Sequence, residues 1–189
     1  MSLFQEMLRQ QNNLTRRKVF VSYYHRDDQW YRNSLEARFG HLFISKSVQP
    51  GDIDTDVSTD YIKRLIQLNY ISDSSVLIVL VGPKTKCRKH VDWELSAALS
   101  AKVGGTSGVA AILLPEVPLL PNGNFSYDSV PARFSDNNQT GYAQLYTWQW
   151  ATASDANMRT VIETAFDSRI TKRHLIDNCR IQMVRNTCE

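Results

Sequence analysis

The stretch Lys84 to Ala97, KTKCRKHVDWELSA, carries the residues best suited to chemistry. Four cations, Lys84, Lys86, Arg88 and Lys89, precede two carboxylates, Asp92 and Glu94, with Trp93 between them; Glu94 is the candidate. The spacing puts Glu94 about one turn into a helix, where the helix dipole favours an anion. A carboxylate so placed, with the cations on a loop that would rim the same cleft, is a candidate for chemistry. The alternative is an ordinary capping acid paired with a nearby lysine, and on spacing alone that reading is the commoner one. Trp93 is likewise more often a core or lid residue than a stacking platform.

The elements around this stretch must place it. Lys18 to Tyr24, KVFVSYY, reads as a first strand, rich in β-branched and aromatic residues. Asp27 or Asp28 can cap a helix with Tyr31, Leu35 and Phe39 on one side, and Gly40 is placed to end it. A weaker strand lies within His41 to Val48. The polar loop Gln49 to Asp56 follows, and Ser58 can open a second helix through Tyr61, Leu65 and Leu68. Ser75 to Val81, SVLIVLV, shows no alternation, so both of its faces should be covered, as in a parallel sheet. A third helix runs from about His90 to Lys102, and Gly108 to Leu114 makes a fourth strand. Beyond it four prolines, Pro115, Pro118, Pro121 and Pro131, mark an irregular region near 115–150, with a strand near Gln144 to Trp148. Ser154 opens a last helix, amphipathic through Val161, Ile162, Ala165, Phe166 and Ile170.

Strand alternating with helix implies an α/β, flavodoxin-like, three-layer fold with a mostly parallel sheet of about five strands. Residues 1–17 form an arm or short helix, and 18–189 form a single domain. Ligands of such a sheet bind beyond the carboxyl ends of its strands, where the KTKCRKHVDWE stretch also falls.

Bulk properties narrow the classes. The 189 residues are 42% hydrophobic and 22% charged, with a net charge of +3, which is globular and gives no argument for nucleic acid or an anionic membrane. No apolar run reaches a membrane span, and the N-terminal segment lacks the apolar core of a signal peptide. The three cysteines, Cys87, Cys179 and Cys188, form no CxxC pair, which points to reduced thiols and a cytoplasmic location. The scattered histidines His25, His41, His90 and His174 show no metal spacing. GxGxxG, GxxxxGK[ST] and GxSxG are all missing, which removes the support for a Rossmann site, a P-loop or a hydrolase elbow.

Three segments together carry a family resemblance: VFVSYYHRDDQWYRNSL, ISDSSVLIVLV and CRKHVDWEL. They resemble the first strand, the third strand and the WxxxE helix of TIR domains. The set is most similar to the bacterial and archaeal TIR-like branch that includes the Thoeris anti-phage defence proteins. The resemblance covers roughly Lys18 to Leu114. It departs at one point, where His90 stands in place of the motif's aromatic and a tryptophan sits at Trp93.

The resemblance implies an enzyme that cleaves the nicotinamide–ribose bond of NAD, with Glu94 as the catalytic acid. NAD is then a substrate, and neither cofactor nor metal is required. Ser22, Tyr23, Tyr24 and Arg26 would line the nicotinamide side, with Ser45, Lys46, Lys84, His90 and Trp93 around the same rim. The product implied is a cyclic ADP-ribose-type signal that activates a separate effector NADase. TIR–TIR self-association is a further implied partnership. The competing reading is an assembly module without activity, in which Glu94 is a capping acid. A nucleoside transferase-like glycosyl enzyme would use the same carboxylate logic.

Overall fold

The computed structural model describes residues 16–46 and 71–188. Residues 1–15 of the expected N-terminal arm, the loop at 49–56 and the helix expected from Ser58 lie outside the described residues, and Arg17 belongs to the first strand. Five strands build one parallel sheet: β1 (Arg17–Ser22), β2 (Phe43–Ser45), β3 (Val76–Val81), β4 (Gly108–Leu113) and β5 (Gln144–Thr147), in the order β2-β1-β3-β4-β5. The helices are α1 (His25–Phe39), α2 (Lys89–Leu99), α3 (Ala132–Gln139), the single turn α4 (Trp148–Ala151) and α5 (Asp155–Thr171).

Alternate strand residues feed two cores, as the two-residue period of a strand requires. Phe20, Leu77, Val79, Val109 and Ala111 pack with Val91, Leu95 and Phe134 of α2 and α3. Val19, Val21, Ile78, Leu80 and Ile112 pack with Leu35 and Phe39 of α1 and with Val161, Ile162 and Ala165 of α5. Every residue of β3 is therefore buried, which is why its sequence shows no alternation. Gly108 lets α5 lie directly on β4, since a Cβ there would meet the Ala165 carbonyl oxygen at 1.7 Å.

Several boundaries differ from the sequence expectation. The helix α2 stops at Leu99, well before the glycine pair at 104–105. The irregular region contains α3, whose start follows Pro131. Ser154 does cap α5, its hydroxyl accepting from Asn157 N at 3.1 Å. Ile170, expected on the buried face, is 66% exposed.

The chain beyond α5 shapes α2. Residues 176–188 run back along it as an extended strap, from its C-terminal end to its first turn. Asn178 Nδ2 donates to the Ser96 carbonyl at 3.0 Å, and Gln182 Nε2 to Ser96 Oγ at 3.0 Å. Met183 N donates to Asp92 Oδ2 at 2.8 Å, while Met183 O accepts from Trp93 Nε1 at 2.8 Å. Asn186 Oδ1 accepts from Lys89 N at 3.0 Å, so the strap supplies a cap that α2 does not draw from its own N-cap residue, Arg88. Cys188 closes the strap with a disulfide to Cys87, 101 residues away. This corrects the expectation of three reduced thiols; Cys179 alone is free. With sheet beneath and strap above, Val91 to Leu99 are all buried.

A buried ion pair ties the strap to α3. Arg133 Nε donates to Asp92 Oδ1 at 2.9 Å, and its other nitrogens reach Asn178 Oδ1 at 2.7 Å and the Arg180 carbonyl at 2.8 Å. The Arg133 side chain has no exposed surface and that of Asp92 only 6%. Removing one partner strands the other charge in a dry site. Arg133→Met is therefore expected to lower the unfolding free energy by ~3–5 kcal/mol, read as a shift in denaturant midpoint; a change below ~1 kcal/mol would show that the strap is held by other contacts.

Candidate active site

The strand order reverses between β1 and β3. From β1 the chain moves to one edge, and from β3 to the other. The crevice at the carboxyl ends of these two strands is the place where α/β sheets bind ligands. Ser22, the last residue of β1, pairs in register with Val79. The connection after β3, Gly82 to Arg88, leads directly into α2.

That connection is fixed against the start of α1. Thr85 Oγ1 donates to Asp28 Oδ2 at 3.0 Å and accepts from Gly82 N at 2.9 Å. Gly82 is needed because a Cβ there would lie 2.4 Å from Asp28 Oδ1. Asp28, read from sequence as a helix cap, is instead a buried bracket between α1 and the β3–α2 loop. The helix N-cap is Tyr24.

Glu94 is 6% exposed and faces Ser22. Burial pushes its carboxyl up from 4.5 to about 8, and the nearby Ser22 hydroxyl offsets part of that rise. Ser22 Oγ is itself buried and makes no hydrogen bond of good geometry. Among the described residues no cation lies within ion-pair distance of Glu94. Glu94 is the sixth residue of α2, beyond the capping positions, and no lysine among the described residues pairs with it, which argues against the capping alternative.

Tyr23 interacts with this carboxyl, and further rings lie on the neighbouring elements. Tyr23 stacks with His25 at 4.2 Å between centroids. Burial raises the Tyr23 phenol, and the Glu94 charge adds to the rise. Tyr24 lies under the Arg88 guanidinium, 3.8 Å from the ring centre. His90 packs edge-on to Trp93 at 4.8 Å. The imidazole of His90 is pushed down by burial first and then by Lys89 and His25; that of His25 is pushed down by burial and Arg32. Both rings are thus biased towards the neutral form.

The structure brings Ser22 and Tyr23 to Glu94 and places His90 one helical turn before it on α2, while Tyr24 stacks under Arg88; it leaves other candidates elsewhere. Ser45 and Lys46 are displaced because Ser45 pairs with Val19, three residues before Ser22 and so ~10 Å lower on the sheet. Ser45 donates to Glu36 Oε1 at 2.5 Å, and Lys46 pairs with Asp73 at 2.8 Å. Lys84 sits 3.7 Å from Asp27, and Lys86 donates to the Asp128 carbonyl. Trp93 is buried and serves the strap. Arg26 is exposed. The sequence places Arg88 in the basic loop rimming the cleft, whereas His25 is not named as a rim residue. The signal for His25 was its place directly after the strand.

These features define a parallel α/β domain with a buried acid at its switch point. A family model described as Thoeris protein ThsB, TIR-like domain, matches residues 20–117. That is just over half of the chain, and the chain belongs to this family. Among solved structures it is similar to the TIR domains in the "Structure of the activated Roq1 resistosome directly recognizing the pathogen effector XopQ", with a TM-score of 0.41 and 12% identity over 82% of this chain and 84% of that chain. No curated protein matches. No described helix is long and apolar enough to cross a membrane.

The burial of Glu94 has a consequence for stability. Its folded-state pKa of about 8 lies above the ordinary 4.5. Below pH 4.5 both states hold the proton and burial costs least. As pH rises towards 8 the unfolded chain ionises first, and stability falls by a few kcal/mol at most, because each tenfold difference in proton affinity between the two states is worth ~1.4 kcal/mol. Glu94→Gln is expected to remove this decline. Above pH 8 the variant should unfold at a higher temperature than the parent, with the gap closing as pH falls. Parallel curves for the two proteins would contradict the buried, proton-bearing carboxyl.

Proposed function

We propose that this chain cleaves the nicotinamide–ribose bond of NAD, with Glu94 as the catalytic carboxylate. The observation that carries the reading is a buried acid without a cationic partner among the described residues, at the switch point of the sheet. Such a group is costly to ionise in the free protein. A ligand that brings its own positive charge lowers that cost. The nicotinamide ring of NAD is a cation, and the reacting ribose carbon becomes one.

In this mechanism the substrate's charge draws Glu94 into its ionised form, and the displaced proton leaves for solvent. The bond between the anomeric carbon and the ring nitrogen then breaks. Its electron pair goes to the ring, which departs as neutral nicotinamide and needs no proton donor. The Glu94 carboxylate faces the oxocarbenium-like carbon and stabilises it. Ser22, close to that carboxylate, helps hold its orientation. Tyr24 and Tyr23 offer ring faces beside the leaving group.

Attack by water yields ADP-ribose. Attack by a nucleophile of the same nucleotide yields a cyclic product. We favour the cyclic product, a diffusible signal for a separate effector NADase, because the family is that of a Thoeris protein and because the buried, ring-lined position of Glu94 disfavours bulk water.

Two outcomes follow. Glu94→Gln is expected to lower NAD turnover by ~10³-fold or more, measured by nucleotide analysis of purified protein and of phage-infected cells; turnover within a few-fold of the parent would leave an assembly module as the better account. The second outcome concerns pH. kcat/KM, which reports the free enzyme, is expected to rise about tenfold per pH unit and level off near pH 8, where Glu94 ionises. A flat profile across that range would remove Glu94 from the rate-determining ionisation.

A further inference from the structure

The strap divides into two parts that are held in different ways. Residues 177–183 are anchored to α2 and α3. Asn137 Oδ1 accepts from Asp177 N at 3.0 Å, Arg180 pairs with Asp136 at 2.7 Å, and Met183 bonds to both Asp92 and Trp93. Residues 184–187 are all exposed, Val184 to 81%. Among the described residues, two hydrogen bonds hold this tail: Lys89 N donates to Asn186 Oδ1, and Thr187 N donates to the Cys87 carbonyl at 3.1 Å. The third tie is the Cys87–Cys188 bond. Exposed hydrogen bonds add little net stability, less than the entropy cost of fixing the chain that makes them. The covalent bond therefore keeps the tail in place.

The tail in turn completes the start of α2. Arg88, at the N-cap, gives no side-chain acceptor, and Lys89 N takes Asn186 as its partner. The first N–H groups of a helix have no partner within it, and a helix that loses its cap frays from that end. The first turn of α2 carries His90, one turn before Glu94 on the same face. The loop before it carries Cys87 and then Arg88, whose guanidinium lies over Tyr24.

We infer that the Cys87–Cys188 bond is a reversible redox latch that sets the order of the first turn of α2. Oxidised, it holds tail and cap on the helix; reduced, it frees residues 184–188 while 177–183 stay anchored. The latch stands on these contacts alone, and its consequence for turnover rests on the NAD reading above. Cys87 is 5% exposed, whereas Cys188 is half-buried at the end of an exposed tail. A dithiol reductant is thus directed to the Cys188 sulfur. Its thiolate forms a mixed disulfide with Cys188, and the Cys87 sulfur leaves with the electron pair and takes up a proton. The second thiol of the reductant then closes the reductant's own disulfide and releases the Cys188 thiol. Two electrons and two protons pass from the dithiol to the two cysteines. The departing Cys87 thiolate lies two residues before the first residue of α2, at the positive end of its dipole, and a leaving group so stabilised departs faster.

The test is amide hydrogen exchange by NMR on the full chain, with and without dithiothreitol. All proteins carry Cys179→Ser, which removes the free thiol. Reduction is expected to speed exchange at Lys89 N by about tenfold or more, with the amides of 95–99 little changed and protection restored on reoxidation. Cys188→Ser should exchange as the reduced protein does, whether or not dithiothreitol is present. On reduction kcat/KM for NAD is expected to fall about tenfold, as the first turn loses its fixed position. Equal exchange at Lys89 N in the two redox states, loosening that extends through Leu99, or a bond that does not re-form would each overturn the latch. Faster exchange with unchanged turnover would overturn its control of the site. Absence of NAD turnover in both states, with the exchange difference intact, would remove the NAD reading and keep the latch.

Discussion

One carboxyl group without a counter-charge sets the terms for this site. Glu94 is almost fully buried, and among the described residues only the Ser22 hydroxyl offsets the cost of ionising it. Burial holds it in the neutral form to about pH 8. A protein keeps such a group only where the surrounding packing is stable enough to absorb its cost, and where its charge is used. The chemistry proposed for it follows from the same fact. A site that disfavours its own anion favours any cation that can pair with that anion.

Much of the surrounding architecture serves to keep α2 dry and fixed. The sheet covers one side of the helix, and the strap from residues 176–188 covers another. The Asp92–Arg133 pair links helix, strap and α3 in one buried knot. Asp28 and Thr85 hold the loop that leads into α2, and Gly82 makes room for them. The disulfide joins the far end of the strap to that same loop. Glu94 is therefore placed by contacts from β1, the β3–α2 loop and the C-terminal strap together.

The sequence was informative where the determining contacts are local or periodic. The unbroken apolar runs of β3 and β4 announced strands with both faces covered, and Ser154 announced the start of α5. The position of Glu94 past the third strand followed from the same pattern. Legibility failed where long-range contact decides. The strap has no period of its own, because its polar groups bond along a helix rather than into a sheet or turn. The Cys87–Cys188 bond spans 101 residues, and spacing alone could not reveal it. Ser45 and Lys46 were placed on the rim on the assumption that β2 ends level with β1, whereas their register puts them three residues lower. The basic run from Lys84 to Lys89 looked like one patch; in the fold Lys84 and Lys86 turn to Asp27 and to the Asp128 carbonyl, while Arg88 stacks on Tyr24 and Lys89 lies over Trp93.

The most direct test of the central claim is a titration of the Glu94 side-chain carboxyl by carbon-13 NMR in the free protein, assigned with Glu94→Gln. The account expects a midpoint about 8, moving to lower pH when a slowly cleaved nicotinamide nucleotide is bound. A midpoint near 4.5, the ordinary value for a glutamate, would contradict it and return Glu94 to the role of a solvated surface acid.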